Sequence, residues 1–371
     1  MSTNSMSRVQ RIILKSIGAL LLVIIGAAGW TGFQLWRSWN TVERVPFDTA
    51  TSRQALGAGP GAPIGTGDEG DPPPTDLYDD IVRRTVEIPD DVQGAFLAIG
   101  GDNRAGFGGN RADVILLFII PEDGTAPTII SLPRDLYIPN PCTNSFSRIN
   151  VNLNGCGDIN GPELLAIAVE DFTGVHVDHL VVFGFDGFEQ VIDEVGGIEI
   201  CIDHAVRDED AELRLPAGCT NATGAQALSW VRSRKTLEYV NGSWRTMRGV
   251  SDLTRNERQQ DVLLQMLRKA KAFNSVGQLT DTVQSLAGAF AIDEGLSISN
   301  AVDLAWNARS ISPETVIRLK IPVRNYTTSA GAAVLLPTQS FTEVLAEAYP
   351  ELLAQLNGGE PAEESADQQT G

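Results

Sequence analysis

The decisive stretch reads Ala95-Phe96-Leu97-Ala98-Ile99-Gly100-Gly101-Asp102-Asn103-Arg104, and it is followed shortly by Arg111-Ala112-Asp113-Val114-Ile115-Leu116-Leu117-Phe118-Ile119-Ile120. Ala95 to Ile99 and Val114 to Ile120 are short apolar runs bounded by glycine and charge, too short for a helix and right for buried strands. Outward from them, Thr128 to Ser131, His179 to Phe183, Ile198 to Ile202 and Ile317 to Val323 repeat the strand pattern. Between and after these, Pro162 to Phe172, Gly187 to Val195, Gly224 to Val231, Asn256 to Ala270 and Ser340 to Tyr349 read as amphipathic helices, with Thr223 a cap for the third. Strands alternating with helices predict an α/β fold: a single domain of α-β-α layers with a mixed central sheet, where ligands bind in loops beyond the strand ends.

The domain has an apolar leader. Ser16 to Trp36 is 21 residues without a charge, long enough to cross a bilayer and longer than the apolar region of a cleaved signal peptide. Arg8, Arg11 and Lys15 precede it, so residues 1–15 are expected in the cytoplasm, 16–36 as one transmembrane helix, and the rest outside the cell membrane. Six glycines and five prolines fall among the 18 residues from Gly57 to Pro74, so 37–76 is expected as an extracytoplasmic linker. The folded domain is then 77–356, and 357–371 an acidic disordered tail. Cys142, Cys156, Cys201 and Cys219 all lie on the outer side. There an even number of cysteines suggests two disulfides, and neighbours in sequence are taken to pair, Cys142 with Cys156 and Cys201 with Cys219.

A formal net charge of -19 argues against nucleic acid as a partner. Within that acidic chain, Arg232 to Arg258 holds seven basic residues against three acidic ones, a local balance of 7 - 3 = +4. Arg255, Gln259, Val262 and Met266 recur at helical spacing on one face, so Arg255 is expected to turn inward and meet either an internal carboxylate or a bound anion. Three further clusters, Asp102-Asn103-Arg104, Arg111-Ala112-Asp113 and Arg134-Asp135, each stand at a strand end. Arginine forks suit phosphate and paired carboxylates suit Mg²⁺, so a diphosphate bound between Asp102, Asp113 and the arginines is the predicted occupant. His176 and His179 share an H-x-x-H spacing without a second ligand pair, and no nucleophile-elbow, zincin or Walker motif is present.

These clusters resemble, in order and spacing, the LytR-CpsA-Psr family of cell-wall glycopolymer transferases. The matching stretches are Gly101-Asp102-Asn103-Arg104, Arg111-Ala112-Asp113, Ser131-Leu132-Pro133-Arg134-Asp135, Arg148-Ile149-Asn150, Ala227 to Arg234 and Asp252 to Gln259. The resemblance implies a phosphotransferase that moves a glycopolymer from a polyprenyl-diphosphate-linked donor onto peptidoglycan, with an apolar groove for the lipid. It implies that Asp102 and Asp113 hold Mg²⁺, or Mn²⁺ in its place, and that Arg111, Arg134, Arg148, Arg232, Arg234, Arg255 and Gln259 bind the diphosphate. Arg111, Arg134, Asp135 and Arg255 are the residues it implies in catalysis, Asp135 chiefly by orienting Arg134. Where the family often has Ser-Asp-Thr, this chain has Ala112-Asp113-Val114, which removes two hydroxyls beside the metal position. The same residues leave two other classes open: a pyrophosphatase that uses water as acceptor, and a receptor for the lipid carrier or wall polymer without turnover.

Overall fold

The computed structural model describes residues 36–57 (save 38), 94–101, 112–120, 126–247 (save 144), 252–270, 288–301 and 311–349, with the side chains of 252–256, 267 and 270 outside that description. A seven-stranded sheet runs in the order Glu43–Val45, Phe290–Asp293, His179–Gly184, Ala95–Gly101, Ala112–Ile119, Thr128–Ser131, Ile317–Lys320. It is mixed: Ala95–Gly101 pairs parallel with His179–Gly184 and antiparallel with Ala112–Ile119.

Side chains alternate across a strand, and here the two faces have different tasks. Leu97, Ile99, Ile115, Leu117 and Ile130 face one way, into a core shared with Leu165 and Val169. The helix that supplies those two, Gly161–Thr173, starts where Asn160 accepts a hydrogen bond from the Glu163 N–H and ends at Gly174, whose φ of 71° suits glycine. Facing the other way, Ala98, Gly100, Val114, Leu116, Phe118, Val181 and Phe183 form the floor of a cavity. Its roof is three helices, Phe185–Glu194, Gly224–Arg232 and Asp252–Ala270. The first two press together so closely that a Cβ at Gly224 would lie 2.2 Å from the Glu189 carbonyl oxygen. Thr223 caps the second helix in a reciprocal capping box with Gln226, as its sequence predicts. Beside the roof lies a four-stranded sheet in the order Leu213–Leu215, Val206–Asp208, Leu237–Val240, Ser243–Thr246.

Several expectations change. The segment expected as linker, 37–76, contributes structure: Glu43–Val45 is an edge strand, and Val42 and Val45 are buried. Helix Thr49–Leu56 within it is clamped by Arg53 to Glu170, with Nη2 2.8 Å from the carboxylate, so the folded unit starts before residue 77. A strand of three residues is too short to leave a pattern in sequence. Ile198–Ile202 leaves the main sheet and pairs antiparallel with Gly218–Ala222. The run from Ile317 to Val323 breaks at Pro322 into two strands, Ile317–Lys320 and Val323–Thr327, because proline cannot continue the ladder. Both disulfides join the predicted partners, Cys142 to Cys156 with Cα atoms 5.8 Å apart and Cys201 to Cys219 with Cα atoms 4.0 Å apart. No helix among the described residues is long and apolar enough to cross a membrane, and the expected span lies outside them apart from Trp36. The acidic tail also lies outside them.

Candidate functional site

The floor strands bring their charged termini to one edge. Ala112 begins its strand opposite Gly101, which ends the neighbouring one, so Asp113 stands at that edge. Ser131 ends the next strand at the same edge, and Arg134 and Asp135 follow it. There Arg134 donates through Nη1 to Asp113 Oδ1, and its Nε lies 3.4 Å from Asp135 Oδ2. Arg148 Nε lies 3.3 Å from Asp135 Oδ1, and Arg234 Nη2 lies 3.8 Å from Asp113 Oδ1. Three guanidinium groups thus share two carboxylates, leaving 3 - 2 = +1 among them. Arg148 is carried on the loop that the Cys142–Cys156 bridge closes, and its Nη2 also donates to the Ala333 carbonyl at 2.9 Å.

Behind the mouth the cavity holds about 670 Å³ and is apolar along its length, lined by Phe118, Phe188, Val191, Leu228, Val262, Leu263, Met266 and Phe290 beside the floor residues. From Val114 to Phe118 is four residues of strand, a depth of about 13 Å at about 3.3 Å per residue. Gly100 opens the passage near the mouth, where a Cβ would come within 2.7 Å of the Phe183 ring. Arg232 lies with its guanidinium carbon 4.2 Å from the centre of the Phe185 ring, and Arg232, Arg234 and Gln259 all line the cavity.

Two buried residues that sequence reasoning passed over fix this rim. Asp208, 4 % exposed, accepts from the Ser233 hydroxyl at 2.7 Å, the Lys235 N–H at 2.9 Å and the Arg234 N–H at 3.2 Å. Burial by itself would raise its pKa, but those donors and the Asp210 N–H outweigh it and hold the carboxyl below the usual range. Arg258, 7 % exposed, stacks 3.8 Å from the Trp230 ring centre and donates to the Trp230 carbonyl at 3.1 Å and to Thr236 Oγ1 at 3.3 Å. Burial lowers its pKa to about 10, so it stays charged at neutral pH. Arg258 is thus a buried arginine of the same helix as Arg255, whose own side chain, expected to turn inward, lies outside the described residues. Arg258 is satisfied chiefly by backbone carbonyls and a hydroxyl, a solution sequence does not display. His176 and His179 do not converge: Nδ1 of each meets a separate carboxylate, Glu170 at 2.8 Å and Asp293 at 3.1 Å.

Residues 78–348 match the LytR_cpsA_psr family. The chain belongs to it. Among relatives of the LytR-CpsA-Psr family, the probable cell wall biosynthesis protein LcpB of Corynebacterium glutamicum is 32% identical over 227 residues, 59% of this chain and 49% of that protein. The polyisoprenyl-teichoic acid–peptidoglycan teichoic acid transferase TagT of Bacillus subtilis is 26% identical over 200 residues, 52% of this chain and 56% of its own length. The chain thus spans about half the length of these relatives. A LytR-Csp2A-Psr enzyme from Actinomyces oris superposes with a TM-score of 0.57 at 26% identity, covering 71% of this chain and 92% of that one. TagT bound to LIIa-WTA shares the fold, with a TM-score of 0.53 at 21% identity over 74% of this chain and 95% of its own.

Of the LytR-CpsA-Psr motif residues, Asp113, Arg134, Asp135, Arg148 and Arg234 are gathered at one rim, and Arg232 and Gln259 line the cavity it opens into. Asp102 and Arg111 lie outside the described residues, although Gly101 and Ala112 beside them end at the same edge. Arg255 stands on the Asp252–Ala270 helix, one turn before Gln259, with its side chain outside the description.

Proposed function

We propose that this chain transfers a glycopolymer from a polyprenyl-diphosphate-linked donor to peptidoglycan through a phosphodiester, releasing polyprenyl phosphate. One observation carries it: a cationic rim of arginines opens directly into an apolar cavity, matching a ligand that joins a diphosphate to a hydrocarbon tail. The names of its relatives, which act on teichoic acid and peptidoglycan, support the same reading. Arg134, Arg148 and Arg234 grip the diphosphate, joined by Arg111 and Arg255 from their places in the chain, while Arg232 and Gln259 flank the neck of the cavity. Asp113 is half-exposed at the rim and with Asp102 would hold Mg²⁺, since that ion takes one or two carboxylates and completes its shell with substrate phosphate. Mg²⁺ there would withdraw charge from the phosphoryl oxygens.

An acceptor hydroxyl attacks the phosphorus on the sugar side. Its oxygen forms the new P–O bond, the bond to the bridging oxygen breaks, and the hydroxyl proton leaves with polyprenyl phosphate. Arginines already fixed by Asp113 and Asp135 need little reorganisation as charge moves onto the leaving oxygen. Asp135, held between Arg134 and Arg148, keeps both forks in place. The apolar segment Ser16 to Trp36 would anchor the enzyme with its domain outside the cell membrane, and two disulfides suit that oxidising side.

The test is a reconstituted reaction with labelled donor, peptidoglycan and Mg²⁺. Wall-linked label supports the transferase; free glycan phosphate would instead identify a pyrophosphatase, and neither product with retained donor a receptor. Arg234→Ala and Asp113→Asn should each lower transfer by at least about a hundredfold, the scale for losing one group that stabilises developing charge. Chelating the metal should stop transfer.

A further inference from the structure

Next to the mouth, the four-stranded sheet has an outward face that neither core nor cavity uses. Register and alternation place Arg214, Arg207, Leu237, Thr246, Tyr239 and Trp244 on it, with no acidic residue among them. Tyr239 and Trp244 are 46 % and 37 % exposed and pair across the hairpin with ring centres 5.2 Å apart. Arg207 lies over Trp244 at 4.4 Å, and its Nε has no hydrogen-bond partner among the described residues.

We infer that this face is a platform for a carboxylate-bearing glycan strand, the acceptor of the reaction proposed above, on which reading the inference rests. Arg207 and Arg214 stand directly opposite each other, and like charges so placed are destabilising unless something anionic is shared between them. In a chain of net charge -19 that pairing is conspicuous. Exposed aromatic rings beside such donors suit sugar rings, which present an apolar C–H face to the ring and carboxylates to the guanidinium groups. The hairpin tip argues against a membrane as occupant. It is Asn241-Gly242, polar and in a tight turn with φ of 52° and 82°, whereas a hairpin dipping into lipid would carry its aromatics at the tip. The sheet itself borders the site: Asp208, next to Arg207 in its strand but turned to the opposite face, lines the cavity and accepts from the Arg234 N–H.

The experiment measures binding of the full-length protein to soluble peptidoglycan fragments, to chitotetraose and to anionic vesicles, with donor-lipid binding measured in parallel. In Tyr239→Ala/Trp244→Ala, both glycans should bind at least about tenfold more weakly, while donor binding and thermal stability hold. In Arg207→Gln/Arg214→Gln, only the carboxylate-bearing fragments should weaken, and chitotetraose should bind as before. Unchanged fragment binding in both variants would overturn the inference, as would a loss confined to vesicles. If the fragments bind through this face but no transfer occurs, the proposed reaction fails and the platform stands.

Discussion

Replacing Ala98 by phenylalanine tests whether a hydrocarbon tail occupies the cavity. Ala98 stands midway along the floor, between Leu116 on one neighbouring strand and Val181 on the other, and is buried. The substitution adds about six carbon atoms to the lumen; at about 0.8 kcal/mol per buried CH₂ they could displace about 5 kcal/mol of tail burial. A flexible chain can pass beside the ring, and roughly half or less of that is lost, about 2 kcal/mol or about thirtyfold in donor affinity. The assay compares KM for donors on a long polyprenyl carrier with KM for donors on a carrier of two or three isoprene units. Ala98→Phe should raise KM for the long carrier and leave the short one nearly unaffected, because the rim is untouched. Equal behaviour of wild type and Ala98→Phe towards the long carrier, in a variant that unfolds at the wild-type temperature, refutes a tail lying in this cavity.

Arg258→Met keeps side-chain volume but leaves the Trp230 carbonyl and Thr236 hydroxyl without their donor, and should cost about 2–4 kcal/mol in denaturant unfolding. Donor KM should rise with it, and Arg258→Lys should restore part of both. Asp208→Asn places an amide among three or more donors, so stability should fall by about 1–3 kcal/mol. Because the folded carboxyl titrates below its unfolded value, its contribution is complete above pH about 4 and disappears as pH falls through the folded pKa. Thermal scans in acid should therefore show wild type converging on Asp208→Asn. Removing the Cys142–Cys156 bridge with serines opens a loop of sequence separation 14 and should cost about 2–4 kcal/mol, with donor binding weakened as well because Arg148 rides on that loop.

What sequence disclosed was whatever has a local period or a local charge excess. The floor strands and the gathering of Asp113, Arg134 and Asp135 were legible because short apolar runs ended in charge, the roof helices and the cap at Thr223 from helical periodicity and capping, the disulfides from pairing cysteines near in sequence, and Arg148 only through the family resemblance. Contacts set by distance along the chain were not. Glu43–Val45 joins the sheet beside Phe290–Asp293, nearly 250 residues on, and neither strand has enough residues to show alternation. Asp208 looked like one acid among many in an acidic segment, and only the turn at Ser233 to Lys235 shows what its carboxylate accepts. Arg258 shared its helix with several other charged residues, and helical spacing could not show that its guanidinium finds the Trp230 carbonyl inside the fold.

The sheet is a party wall. Leu97 and Ile99 face the core, while Ala98 and Gly100, interleaved with them, line the cavity. A slip of one residue would exchange the two sets, so no drift in register can retune the lumen without unmaking the protein. Under the proposed reaction, a change of donor would therefore have to be met at the rim and on the neighbouring loops, where side chains can vary without exchanging the faces of the sheet.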